Sequence, residues 1–325
     1  MRPVLLTVND DSYRAWLQAA IVGHRPRRTH LEVTGADRAS FLHNLCTNNI
    51  KALAPGQGCE AFFCTAQAKT LGFVDLFCTA NSLVMETVAD QATPLLTHLD
   101  RYLFREQVVL TDRTADWDEW LVAGPNSTDL LARCLQVELP RGDHQHLAVN
   151  VGTDEISVRR LATHHESTWQ LVGPSAALQL VVDQLMAAGA VRGDQIWEVA
   201  RVERGTPEYG LDITSENLPP ELVRGERAIS YHKGCYLGQE PIARIDALGH
   251  VNWSLVGLRC TANEAPTEFS LTSGGKALAR ITSVVYSPRQ SAWIALAFLR
   301  RGAGTVGAHM ITDQGTYEIV GLPFP

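Results

Sequence analysis

Residues 230–240 read Ser230-Tyr231-His232-Lys233-Gly234-Cys235-Tyr236-Leu237-Gly238-Gln239-Glu240, a dense run of chemistry-bearing side chains. Cys235 sits between Gly234 and Tyr236, two residues from Lys233. That setting can expose the sulfur and favour thiolate through nearby positive charge. Taken alone, a single cysteine is more often a small buried hydrophobe. Gln239 and Glu240 read as residues that hold the loop by hydrogen bonds, with direct ligand contact as the alternative.

Working outward, Arg201-Val202-Glu203-Arg204-Gly205-Thr206-Pro207-Glu208-Tyr209-Gly210-Leu211-Asp212 is the second such run. On spacing alone Glu203 is a surface helix acid paired with Arg204 or Arg201. Tyr209 is read equally well as an ordinary half-buried tyrosine or as the aromatic wall of a site.

Lys233 to Glu240 matches in full the K-G-C-[FY]-x-G-Q-E hallmark of the YgfZ family, a branch of the aminomethyltransferase (glycine-cleavage T-protein) superfamily. The chain resembles that family along nearly its whole length. The likeness includes Val33-Thr34-Gly35-Ala36-Asp37 with Thr47-Asn48, Arg101-Tyr102-Leu103, Arg201 to Gly205, Thr282-Ser283 and Ala297-Phe298-Leu299-Arg300. The resemblance implies an α+β fold in which two ferredoxin-like units and a small C-terminal β-barrel surround a central folate site. The units are expected at 1–115, 116–246 and 247–325.

It also implies tetrahydrofolate or a derivative as ligand, transient iron-sulfur client or assembly proteins as partners, and an older link to tRNA modification. Glu203 becomes the reader of the pterin, because a carboxylate can accept two adjacent N–H donors from the 2-amino-4-oxo edge. Arg201 is expected to steady that carboxylate or hold the folate tail. Gly205 and Gly210 would let the backbone approach, and Tyr209 would supply the wall. Cys235 takes a redox or thiol role beside Lys233, supported by Gly234, Tyr236, Gly238, Gln239 and Glu240.

Aminomethyltransferases carry a G-G-x-x-D-D pattern whose aspartate assists one-carbon transfer. Aligned on Ala68 to Phe73, this chain has Gly72 and Phe73 at those positions, and Asp75 follows two or three residues later. Phenylalanine cannot handle a proton. A binding or redox-assisting protein is therefore expected, with a folate-dependent one-carbon transferase, acting in glycine cleavage or on RNA, as the alternative. A scaffold that has lost its pocket is the third reading.

A weak repeat agrees with paired α+β units. Leu31 to Asp37 leads to Phe41-Leu42, and Leu121 to Asn126 leads to Leu130-Leu131, each as strand, Gly, cap and helix. A partial third copy is Leu171 to Ser175. Strands are expected at 60–64, 72–78, 83–88 and 108–111, with Thr93 capping a helix that runs to Phe104. After Leu248, short alternating runs separated by Gly, Ser and Pro turns suggest a barrel.

The 325 residues are 45% apolar and 19% charged, enough to bury sizeable cores. A net charge of −7 with scattered Lys and Arg argues against a general nucleic-acid or anionic-membrane surface, leaving a local tRNA contact open. The short apolar run before Asn9 and Asp10 suits neither a secretory core nor a span, so a cytoplasmic protein is expected. Seven cysteines without a C-x-x-C pair are read as reduced thiols. His144 with His146, and His164 with His165 and Glu166, lack a familiar ligand set, so no metal is expected.

Overall fold

The computed structural model describes residues 5–6, 10–161, 167–262 and 264–325. The pair His164 and His165, with Glu166, lies outside the described residues. The chain begins with β1 (Leu5–Leu6), α1 (Asp10–Gln18), β2 (Ile21–His24), β3 (Thr29–Thr34), α2 (Arg38–Leu45), β4 (Gln57–Cys64), β5 (Thr70–Cys78), β6 (Ser82–Thr87), α3 (Ala92–Asp100) and β7 (Val109–Asp112). It continues through β8 (Asp118–Ala123), α4 (Ser127–Leu135), β9 (His146–Val151), β10 (Asp154–Leu161), β11 (Thr168–Gly173), α5 (Ser175–Ala187), β12 (Val191–Arg192), α6 (Ile196–Glu203), α7 (Gly225–Ala228) and α8 (Gln239–Leu248). The last strands are β13 (Trp253–Cys260), β14 (Ser270–Ser273), β15 (Lys276–Ser287), β16 (Ala292–Arg300), β17 (His309–Thr312) and β18 (Gly315–Val320).

These strands build three sheets. The first runs β4-β5-β6-β3-β7 and the second β12-β2-β8-β11-β10-β9. The third runs β1-β15-β16-β13-β18-β17, with β14 added beside β15. Asp313 at the β17–β18 turn donates its N–H to Thr272 O in β14 at 2.7 Å, drawing the ends of the third sheet together. A mixed α+β fold with a C-terminal barrel-like sheet is thus observed.

Side chains alternate across each strand, and this gives each α+β unit two different faces. In the first sheet Leu31, Val33, Ala61, Phe63, Val74, Leu76, Leu83 and Met85 pack with Phe41, Leu42, Leu95 and Leu99 of α2 and α3. In the second, Trp120, Val122, Ile156, Val158, Trp169 and Leu171 pack with α4 and α5 through Leu130, Leu131, Leu178 and Val182. Each such burial stabilises by about 1.5–3 kcal/mol. The alternate positions carry His30, Glu60, Glu86, Glu119, Arg159 and Gln170, all buried.

The repeat has a backbone cause. Gly35 and Gly124 adopt φ of +103° and +105°, and a Cβ at either would overlap a backbone carbonyl, that of Gln107 or of Ala19. The expected side-chain caps are absent: neither Asp37 nor Asn126 caps its helix, and Asp37 accepts the Gln107 N–H at 2.8 Å instead. Ser175 is the first residue of α5, after Pro174. Thr93 lies inside α3, which starts after Gln91 and ends at Asp100 rather than Phe104. The Glu106 carboxylate takes the N–H groups of Phe104 and Arg105 at 2.9 and 3.0 Å, which turns the chain there.

The N-terminal segment does not follow the expected 1–115 span. β2 pairs with β8 and β12 in the second sheet, and β1 pairs with β15 in the third. Among the described residues, no helix is long and apolar enough to cross a membrane.

Candidate functional site

The α6 helix presents Ile196, Trp197, Val199, Ala200 and Val202 to the central apolar core, leaving its last turn to place Arg201 and Glu203. Both are buried. Glu203 Oε1 accepts the Tyr13 hydroxyl at 2.7 Å and the Ser287 hydroxyl at 2.6 Å. Its Oε2 is buried and has no hydrogen-bond partner among the described residues. Burial pushes the Glu203 carboxyl above its ordinary pKa, although both hydroxyls pull it down. Oε1 already has two donors, so only Oε2 is left to accept another, where the sequence led to two-pronged acceptance.

Arg201 does not touch Glu203. Its Nε donates to Glu198 at 2.9 Å, and its Nη2 donates to the same carboxylate. The remaining bonds go to Thr206 O at 2.8 Å, Asp212 at 2.6 Å and Ser283 Oγ at 2.8 Å. Asp212 in turn accepts the Glu208 N–H and the Thr282 and Ser283 hydroxyls. All five guanidinium N–H groups are therefore engaged within the protein. Arg201 pins the 206–212 loop to the third sheet, which corrects its expected roles on the carboxylate and the folate tail. Gly205 has φ +68°, and a Cβ there would press on Leu322 at 2.6 Å, so packing rather than ligand approach requires it. Gly210, at φ +88°, faces open space in a turn closed by its N–H to Ile213 O at 2.7 Å.

Tyr209 lines a narrow central cavity with Arg25, Arg28, Phe73, Asp75 and Glu86. Phe73 stacks on Phe62 with ring centroids 4.7 Å apart. Asp75 is two residues further along the same strand face and accepts or donates a hydrogen bond with His144 Nε2 at 2.8 Å. A carboxylate does reach the central cavity, one alternation beyond Phe73. Burial raises the Asp75 pKa against the pull of His144. His144 is itself lifted to about 10: burial lowers it, but Asp143 and Asp75 overcome that effect.

Around this pair lies a layer of ion pairs between the two sheets that sequence reasoning missed. Glu60 is held by Arg224 at 2.9 Å and by Arg227 at 3.0 Å. Glu86 meets Arg28 at 2.5 Å, and Glu119 meets Arg25 at 2.8 Å. Charges at inward positions of otherwise apolar strands, as in Cys59-Glu60-Ala61-Phe62, were the available signal. Glu60, Asp75 and His144 bring three potential ligand atoms within 4.8 Å of one another. A cation there would compete with Arg224, Arg227 and an imidazolium for the same carboxylates. His144 is buried rather than on a polar loop surface.

The Lys233–Glu240 segment packs against the C-terminal end of α2. Lys233 is buried, and its ammonium donates to the carbonyls of His43 at 2.5 Å, Cys46 at 2.8 Å and Asn48 at 2.7 Å. It thus caps the C-terminal end of α2, where cations are favoured, and stands 4.8 Å from the Tyr236 ring. Its three N–H groups serve carbonyls, so its expected role of charging a neighbouring thiol gives way to a structural one.

Gly238 has φ +84° and begins α8, and a Cβ there would lie 2.7 Å from Thr65 O. The Leu237 N–H binds Asn44 O at 2.9 Å. Neither the Gln239 nor the Glu240 side chain makes a hydrogen bond within the described residues, contrary to expectation; they form the first turn of α8. Gly234 and Cys235 are exposed. Cys235 opens onto a groove of about 750 Å³ lined by Asp37, Asn44, Tyr102 and Arg105. It does not line the central cavity with Tyr209 and Asp75, and Glu203 lies outside the lining of both.

With this geometry in place, comparison with known proteins defines the class. The family model of the GCVT N-terminal domain matches residues 13–228. The chain belongs to that family. It is 28% identical over 317 residues to a chloroplastic protein of Arabidopsis thaliana named as a candidate transferase, covering 96% of this chain and 72% of that one. It is 28% identical over 237 residues to the tRNA-modifying protein YgfZ of Yersinia enterocolitica, covering 72% and 69% of the two chains. The solved aminomethyltransferase T of the Bartonella henselae glycine cleavage system superposes with a TM-score of 0.85 at 15% identity, over 97% of this chain and 89% of that one. That last likeness is one of fold.

Proposed function

We propose that the protein binds tetrahydrofolate or a derivative and, through Cys235, assists the synthesis or repair of iron-sulfur proteins. The observation that carries the folate reading is the buried Glu203 Oε2, an acceptor without a donor in the family segment expected to read a pterin. An unmatched buried acceptor costs about 1–3 kcal/mol, which a ligand N–H would offset. The exposed Cys235 supports a thiol role, because the other cysteines are half-buried or buried and all seven are free. Free thiols agree with a reducing, cytoplasmic setting. In this reading Cys235 meets a client protein transiently at the Tyr102 and Arg105 groove. Anaerobic calorimetry with tetrahydrofolate tests the first half of the proposal; no heat of binding from wild type would contradict it. Restored iron-sulfur enzyme activity in a deletion strain carrying Cys235→Ala would remove the second half.

Asp75 favours a second reading, one-carbon transfer. Its carboxyl, kept high in pKa by burial and joined to His144, can hold or release a proton beside Tyr209. The substrate would be glycine-derived or, following the name of the Yersinia relative, a tRNA. Single-turnover transfer lost in Asp75→Asn supports it; no transfer by wild type removes it.

A further inference from the structure

His144 meets Asp75 at the wall of the central cavity, and its backbone is bent to bring it there. It carries a side chain yet has φ +56°, in the left-handed region where such residues are strained. It lies in the turn before β9, and its N–H is fixed to Arg160 O of β10 at 2.8 Å. The imidazole is buried, with its side chain 6% exposed. Nε2 stands 2.8 Å from Asp75 Oδ1, and Nδ1 stands 3.3 Å from Asp143 Oδ1. The Phe77 ring lies against the imidazole, with centroids 6.0 Å apart and planes inclined by 21°. Arg227 holds the other oxygen of Asp143 at 2.6 Å. The plane of the ring and the partner of each nitrogen are therefore both fixed.

The charges around the ring come from several elements. Asp75 faces it from β5, Asp143 from its own turn and Glu60 from β4, while Arg224 and Arg227 at α7 bind Glu60. Arg159 of β10, Glu86 of β6 and the Cys59 thiol of β4 act on Asp75 from further away. Among the nearest groups three carboxylates meet two guanidinium groups, and a proton on His144 completes the balance. Burial weakens the ring's hold on that proton, but Asp143 and Asp75 overcome it and lift the pKa to about 10. Burial also raises the Asp75 carboxyl, so Asp75 is a competent acceptor for the same proton. Its passage from Nε2 to Asp75 leaves the net charge of the layer unchanged.

We propose that His144 is the positioning residue of Asp75 and supplies the proton that Asp75 presents to a molecule in the central cavity. In this step the Nε2–H bond breaks and an O–H bond forms on Asp75 Oδ1. Imidazolium and carboxylate become a neutral imidazole and a carboxylic acid, and the imidazole keeps its Nδ1 proton toward Asp143. Asp75 then passes the proton to a leaving nitrogen of the bound molecule; in the reverse sense it takes a proton from that nitrogen and returns one to Nε2. This role rests on the one-carbon-transfer reading for the molecule that receives the proton.

The test has two arms on the full chain. Nitrogen NMR of histidine-labelled protein, with the signals assigned by their loss in His144→Gln, is expected to show a proton on both ring nitrogens at pH 8. A neutral ring overturns the proposal. The second arm follows single-turnover methylene transfer from 5,10-methylenetetrahydrofolate to ammonia and dihydrolipoamide between pH 6 and 10. Wild type should hold its rate until pH nears about 10. His144→Gln should be at least about tenfold slower at pH 8, with the gap closing toward pH 6 as Asp75 takes its proton from solvent. Asp143→Asn keeps the ring but removes one of the carboxylates that hold its proton, so its rate should fall at lower pH than that of wild type. That variant decides the matter if His144→Gln does not fold. Transfer by wild type with the same pH profile in both variants would make His144 purely structural, overturning the proposal and leaving the one-carbon reading in place. No transfer by wild type would remove that reading and this role with it.

Discussion

The Tyr13 hydroxyl donates to Glu203 Oε1 at 2.7 Å across 190 positions of sequence, tying α1 to the last turn of α6. Ser287 holds the same oxygen from the third sheet. The carboxylate is thus fixed by two donors from different parts of the chain, with its second oxygen buried and without a donor among the described residues. Tyr13→Phe removes one donor from a buried charged acceptor and is expected to cost about 1.5–3 kcal/mol, measured by urea unfolding.

Lys233 and Cys235 should separate sharply despite lying two residues apart. Lys233→Met strips three carbonyls of a buried cation and should destabilise by at least about 2 kcal/mol in the same assay. Cys235→Ser alters an exposed side chain and should stay within about 0.5 kcal/mol of wild type. A large loss from Cys235→Ser would mean that its sulfur is part of the packing.

Gly238→Ala meets two obstacles at once, a positive φ and a carbonyl oxygen in the path of Cβ. It should cost more than about 1 kcal/mol. Gly234→Ala, where a Cβ meets open space, should be nearly neutral. Thermal unfolding of the two variants distinguishes a glycine required by the fold from one that is not.

The His144 imidazolium should make stability depend on pH. Its folded pKa is about 10 against an ordinary 6.5, so the folded state holds the proton more tightly. The stabilisation is complete below pH 6.5 and is lost as pH rises toward 10. Melting temperature should therefore fall between pH 7 and 10 more steeply in wild type than in His144→Gln. Parallel curves would show that Asp75 and Asp143 do not retain that proton.

Much of the scaffold was readable because strand alternation is local. The expected runs at 72–78 and 83–88 fall within a residue or two of β5 and β6, and Gly35 and Gly124 marked the repeat. The short β2 was missed, since four residues with a glycine in the middle carry little period, and its place in the second sheet depends on Trp120 to Ala123, a hundred residues on. The charged layer was missed for a similar reason. Glu60 finds its partners 164 and 167 positions away, and nothing near it in sequence announces them. The Lys233 motif is legible, but the direction of its side chains is not: a lysine two residues from a cysteine can turn inward while the cysteine turns out. In sequence Asp75 reads only as an alternative register, because the alternation that puts it on the face of Phe73 becomes decisive once β5 is placed.

The central claim is that Glu203 Oε2 accepts a hydrogen bond from a bound reduced folate, and Glu203→Gln tests it most directly. The substitution keeps the shape and removes a carboxyl whose raised pKa shows its charge to be disfavoured by burial, so the variant should be no less stable than wild type at pH 7. Anaerobic calorimetry with tetrahydrofolate should then show binding at least tenfold weaker than wild type, about 1.4 kcal/mol. Equal affinity in a folded Glu203→Gln protein would contradict the claim and place the pterin elsewhere.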